Sequence, residues 1–246
     1  MMRSSNPALR ADTFKGLRAA SSEDVMTLEG TALRTGLLLL GVVCSAAFTW
    51  QKVVSFPAAA VPWMIGGVIG GLLFALATYF KKTWAPVTAT GYALCEGLFL
   101  GAVSAMYEVR FGGIVLQAVG LTFGVLAMLL VAYVTRLIRA TENFKLGVFA
   151  ATAGIGLVYL ATWILSFFGV RIPYIHDSGW IGIGFSAFVV AIAALSLVMD
   201  FDFIEEGVRQ GAPKYMSWYA AFGLLVTLVW LYLEILRLLS KLRSRN

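Results

Sequence analysis

Seven runs of mostly apolar residues, each about 20 long, constrain this chain more than any other feature. They lie at roughly 35–52, 61–80, 87–107, 113–134, 146–168, 180–201 and 215–238. A hydrocarbon core of about 30 Å takes about 20 residues of helix to cross. Backbone groups in lipid must bond within their own segment, so each run reads as a helix. A membrane barrel would show short alternating segments instead. The expected fold is therefore an all-α membrane protein, a seven-transmembrane-helix bundle embedded in the lipid bilayer.

Composition agrees. Only 13% of residues are charged and 60% are hydrophobic, where a soluble domain carries about 25% charged residues. A water-soluble fold would lack the polar surface to cover itself. Disordered, coiled-coil, collagen and disulfide-scaffold classes fail on the same numbers. The net charge is +6, but the basic residues stand between apolar runs. That is the pattern of membrane flanks, with no nucleic-acid patch. Cys44 and Cys95 fall inside apolar runs and read as free core thiols. The lone histidine, His176, gives no basis for a zinc or haem site, so no cofactor is expected.

Residues 1–34 read as a polar tail outside the bilayer, without the apolar core of a signal peptide. Ser22 is placed to N-cap a helical stretch running to Arg34, with Glu23 and Asp24 in its first turn. Residues 35–240 form the seven-helix transmembrane domain and 241–246 a basic C-terminal tail. The connections are short and hold no soluble domain. Function is expected within the bilayer, at its edge, or through the tail.

Lysine and arginine counts orient the chain. With the N-terminus inside, twelve basic residues before the last span fall inside and three (Lys52, Arg110 and Arg171) fall outside. The C-terminus conflicts with this bias. Seven full spans put Arg237, Lys241, Arg243 and Arg245 outside, so the last helix either crosses against the rule or is re-entrant. Its length favours crossing. Glycine pairs at Gly66-Gly67, Gly70-Gly71, Gly97/Gly101, Gly120/Gly124 and Gly182/Gly184 read as ordinary close packing.

Acids inside spans are the informative residues, because a carboxylate in hydrocarbon costs at least ~3 kcal/mol. Glu96 sits near the middle of the third span. It is either packing glue, bonded to Gln117, Thr122 or Tyr92, or a proton or cation site. Asp200 and Asp202 close the sixth span and Glu205 and Glu206 follow. At a helix C-terminus the macrodipole disfavours them. They form either a solvated helix end or a cation-binding mouth, with Asp200 and Asp202 the candidate calcium ligands. Glu234 in the last span has Arg237 at i+3, the spacing of an ion pair.

Helix rise puts Asp200 and Glu234 about 25 Å apart in depth, too far for a direct pair. Lys81 and Lys82 share the inside face with Asp200 and Asp202 and are their expected partners. A Lys–Asp latch of this kind opens when the carboxylates protonate, which makes it a candidate pH gate.

MDFDFIEEG, followed by GAPKYMSWYAAFGLLVTLVWLYLEILRLL, resembles the Bax inhibitor-1 family. YALCEGLFLGAVS resembles its glycine-centred third-span segment, and SNPALRADTF the opening of a bacterial branch. The resemblance implies a seven-helix bundle with a central last helix, in the cytoplasmic membrane of a bacterium. It further implies a passive, pH-sensitive calcium leak. Two aspartates, one ending the sixth helix and one in the last, would close the pore, engaged by a basic residue before the third helix. Asp200 matches the first aspartate, with Asp202 as alternative, and Lys81 or Lys82 matches the basic residue. The second aspartate falls on Thr227 when the last helix is aligned on Arg237, or on Glu234 when aligned on LYL-acid. Relatives also often carry an acid at the position of Ser217.

Three functions compete. One is a cation leak gated by a carboxylate–lysine latch. Another is a non-transporting regulator whose tail binds a membrane protein, such as the membrane-bound ATP-dependent protease linked to the bacterial branch. The third, a polytopic hydrolase, is disfavoured. Paired mid-membrane acids or a histidine would be needed, and only Glu96 is at that depth.

Overall fold

A computed structural model describes residues 25–168 and 179–245. The expected cap at Ser22, with Glu23 and Asp24, lies outside those residues, as does His176. Among the described residues seven helices are long and apolar enough to cross a membrane. They are α1 (Leu28–Ser55), α2 (Ala60–Phe80), α3 (Ala85–Arg110), α4 (Ile114–Val134), α5 (Glu142–Phe167), α6 (Trp180–Arg209) and α7 (Met216–Arg245).

Local chemistry sets their ends. Thr27 caps α1 by accepting from the Gly30 amide at 3.0 Å, with Glu29 in the first turn. The helix stops before Phe56-Pro57, since a residue preceding proline is pushed out of the helical region. Thr141 caps α5 by accepting from the Phe144 amide at 3.3 Å. Gly113, at φ +79°, turns the chain into α4. Many hydroxyls inside the spans bond the carbonyl one turn back, as Thr35 does to Thr31 and Thr122 to Ala118. A hydroxyl is thus satisfied within hydrocarbon without a tertiary partner.

The sixth helix is longer than expected. It continues through the acidic stretch to Arg209 and ends in a Schellman motif. Gly211 takes φ +65°, its amide bonds Val208 O at 3.1 Å, and the Ala212 amide bonds Gly207 O at 3.0 Å. Asp200 therefore lies nine residues inside the helix end, about 13 Å from it. The macrodipole penalty expected for Asp200 and Asp202 does not apply, because it fades within the last turn. Glu206 is the acid of that last turn, and it is paired with Arg209 and Gln210.

The molecule divides into two compact units. One holds α1, α2, α3 and the stretch Asp202–Val226, and the other holds Gly113–Phe201 with Thr227–Asn246. In the first, α3 packs against both α1 and α2. Val53, Ala60, Ala102 and Ala105 are buried there under Trp50, Trp63 and Met64. Glycines set the spacing of these seams. A Cβ on Gly97 or Gly101 would run into the backbone of Val42 or Ala46 in α1, and one on Gly67 would come within 2.7 Å of the Phe99 amide. Gly120 and Gly124 meet nothing within 4 Å. The pairs expected to act alike are therefore of two kinds. In the second unit Ile155, Val189 and Ile192 pack beneath Tyr159, Phe185 and Trp230.

The last helix is the central one and the most buried of the seven. Its first half meets α1 and α3, where Trp218 lies under Arg34 and Phe222 against Tyr92. Its second half meets α4, α5 and α6. At its C-terminal end Arg243 donates to Gln117 Oε1 at 2.9 Å and Arg245 stacks on Trp180 at 3.5 Å. Lys241, only 6% exposed, donates to Gly182 O at 3.0 Å and Ser186 Oγ at 2.9 Å. Gln117 and Trp180 begin α4 and α6. The helix thus runs full length to the face where α4 and α6 start, so it crosses and is not re-entrant. Residues 241–245, expected as a basic tail, continue the helix.

Candidate functional site

Asp200 is the most unusual side chain of α6. It is 1% exposed, and neither carboxylate oxygen has a hydrogen-bond partner of acceptable geometry. The Thr227 hydroxyl of α7 faces the carboxyl group. Thr227 is itself 4% exposed. Of the two residues that the last helix offered as Asp200's counterpart, the fold brings up Thr227.

Glu234 belongs to a different group. It is 2% exposed and accepts from the Tyr159 hydroxyl at 3.0 and 3.2 Å. Arg237 Nη1 lies 2.9 Å from Glu234 Oε1 and donates to the Tyr159 oxygen at 2.7 Å. The Arg237 side chain keeps 37% exposure. One end of this cluster is therefore dry and the other open, the geometry of a snorkelling arginine. The i+3 pair was legible in the sequence. Tyr159, 75 residues away, had no local signal.

Asp200 stands apart from the other three acids of MDFDFIEEG. Side chains two apart on a helix do not face each other, which separates Asp200 from Asp202. Asp200 is buried, whereas Asp202, Glu205 and Glu206 are half-buried. Among the described residues no group of three or more His, Cys, Asp or Glu is arranged to hold a metal ion.

The two lysines before α3 sit beside aromatic rings. Lys81 Nζ lies 3.9 Å from the Trp84 ring centre and Lys82 Nζ 5.7 Å from that of Tyr219. Ser217 is fully buried in the first turn of α7 and its hydroxyl has no hydrogen-bond partner.

Glu96 accepts from the Tyr92 hydroxyl one turn earlier. Of its other expected partners, Gln117 accepts from Arg243 and Thr122 bonds Ala118. Cys95 is half-buried, but Cys44 is exposed on the surface of α1, so only one of the expected core thiols faces the protein interior.

Comparison with curated proteins finds no match, and comparison with solved structures finds none. The family model described as "Bax inhibitor 1 like" matches residues 6–244. With nearly the whole chain covered by that match, seven crossing helices and a central last helix, the protein belongs to the Bax inhibitor 1-like family.

Proposed function

We propose that the protein is a pH-sensitive passive cation leak of a bacterial cytoplasmic membrane, with calcium the candidate ion and Asp200 the carboxylate at its gate. One observation carries this reading: a carboxylate with two unpartnered oxygens in the interior of a transmembrane helix. Such a group needs a proton or a cation to remain there. Exchange between the two makes occupancy depend on pH. In this reading Lys82 and Asp202, which belong to the same unit, form the latch on the inner face. Lys81, held on Trp84, anchors the turn before α3. The lysine and arginine bias supports an inside N-terminus.

The test is calcium entry into proteoliposomes at about pH 6 and pH 8, the range over which buried carboxylates titrate. Wild type should show protein-dependent flux that changes with pH. Asp200→Asn should remove the pH dependence, and Asp202→Asn should alter the flux. No flux above empty liposomes from folded protein rejects the leak.

A second reading is favoured by Thr227, which meets Asp200 where the family resemblance implies a second acid. With a single carboxylate at the gate, the chain acts as a non-transporting regulator. Its tail then recruits a membrane-bound ATP-dependent protease. The first described residues, Val25–Met26, pair with Ala212–Pro213 through a 2.7 Å bond from the Met26 amide to Ala212 O. Deleting residues 1–24 should then abolish co-purification with the protease, while Asp200→Asn leaves it intact.

A further inference from the structure

We infer that Glu96 is a proton-binding site between α2 and α3, separate from Asp200. The inference is independent of the leak reading, because it rests on the first unit alone.

Glu96 lies eleven residues into α3, about 16 Å from its start. That is the depth of the hydrocarbon core. Its carboxyl group packs against α2 at a glycine. A Cβ on Gly71 would lie 3.3 Å from Glu96 Oε2, so the acid is in contact with the helix backbone. Gly67 and Gly70 continue the same seam against Phe99 and Cys95. Tyr92 donates its hydroxyl to the acid, and its ring meets Phe222 of α7 edge-on at 4.9 Å. The tyrosine is thereby held where it is needed.

No cation shares this depth in the three helices. In α1 the basic residues are Arg34 and Lys52, near its two ends, α2 has none, and α3 has none before Arg110. The titratable neighbours are Tyr92 and Cys95 on α3, Tyr79 at the end of α2 and the exposed Cys44 on α1, which also carries Glu29 near its start. The α7 segment brings Tyr219, the turn before α3 brings Lys81 and Lys82, and the α6 segment brings Asp202, Glu205, Glu206 and Arg209. A carboxyl group with a tyrosine donor and a glycine backbone as neighbours, half-buried at hydrocarbon depth with no cation at that depth in these helices, is suited to holding a proton. Ionised, it calls for water.

The test is a pH titration of the protonated-carboxyl infrared band in full-length protein reconstituted into liposomes. It is run in an Asp200→Asn, Glu234→Gln background, so that the two fully buried acids are silent. A titrating band should be present, and adding Glu96→Gln should abolish it. Adding Tyr92→Phe should raise its midpoint by about one pH unit, because a donor to the ionised form is lost. Absence of the band in that background overturns the inference. So does a band that survives Glu96→Gln, or a midpoint that ignores Tyr92→Phe. The Tyr92 variant keeps the test decisive if Glu96→Gln folds poorly.

Discussion

The buried carboxylates of α6 and α7 meet the membrane in opposite ways. Glu234 has a tyrosine and an arginine, and both donate to its carboxyl oxygens. Tyr159→Phe removes the tyrosine's donor and acceptor at once. Hydrogen bonds between membrane helices average about 0.6 kcal/mol, so a loss of about 1 kcal/mol is expected, read as a lower unfolding midpoint. Glu234→Ala should cost more, since it also strands Arg237. The partial exposure of Arg237 limits that loss to well below the ~3–5 kcal/mol of a fully buried pair. Asp200 has no such partners, and Thr227 is the residue to change. Thr227→Asp places two carboxyls together. One proton should then be shared, and one of the two acids should titrate at clearly higher pH than in wild type. An infrared titration reads this directly, and an unchanged profile would mean the two side chains do not meet.

At the scale of elements, glycine spacing carries two meanings that the sequence writes identically. Gly97 and Gly101 admit α1 to within backbone contact of α3, and a methyl group there has rigid backbone in its way. Either substituted by alanine should destabilise the protein by about 1–3 kcal/mol, the usual penalty of overpacking. Gly120→Ala and Gly124→Ala meet open space and should be neutral or stabilising by up to ~1 kcal/mol through helix propensity. Thermal unfolding of the four variants separates the two classes. The same limit explains the end of α6. Four acids in seven residues look like a break, yet Gly211 is what stops the helix. Tertiary burial of Phe201, Phe203 and Ile204 carries the helix through the acids.

For the whole molecule, the last helix decides the topology. Its C-terminal end carries Lys241, Arg243 and Arg245, which a positive-inside count would keep inside. Each is instead tied to the start of α4 or α6. A reporter fused after Asn246 should therefore face the side opposite one fused before Met1. Reporters on the same side would reject seven crossings. The seven spans were legible in the sequence because a bilayer leaves a backbone one way to cross alone, and apolar length measures it. The pair of Glu234 with Arg237 was legible for a similar reason, since helix geometry makes i+3 residues neighbours. Family membership was legible in the motifs of α3, α6 and α7. The partners of the buried acids were not, because Tyr159 meets Glu234 and Thr227 meets Asp200 only after helices distant in the chain have packed. A membrane sequence specifies each helix through local hydrogen bonds and hydropathy. Which faces meet depends on shape and on scarce polar contacts between helices, and those exist only in the tertiary structure.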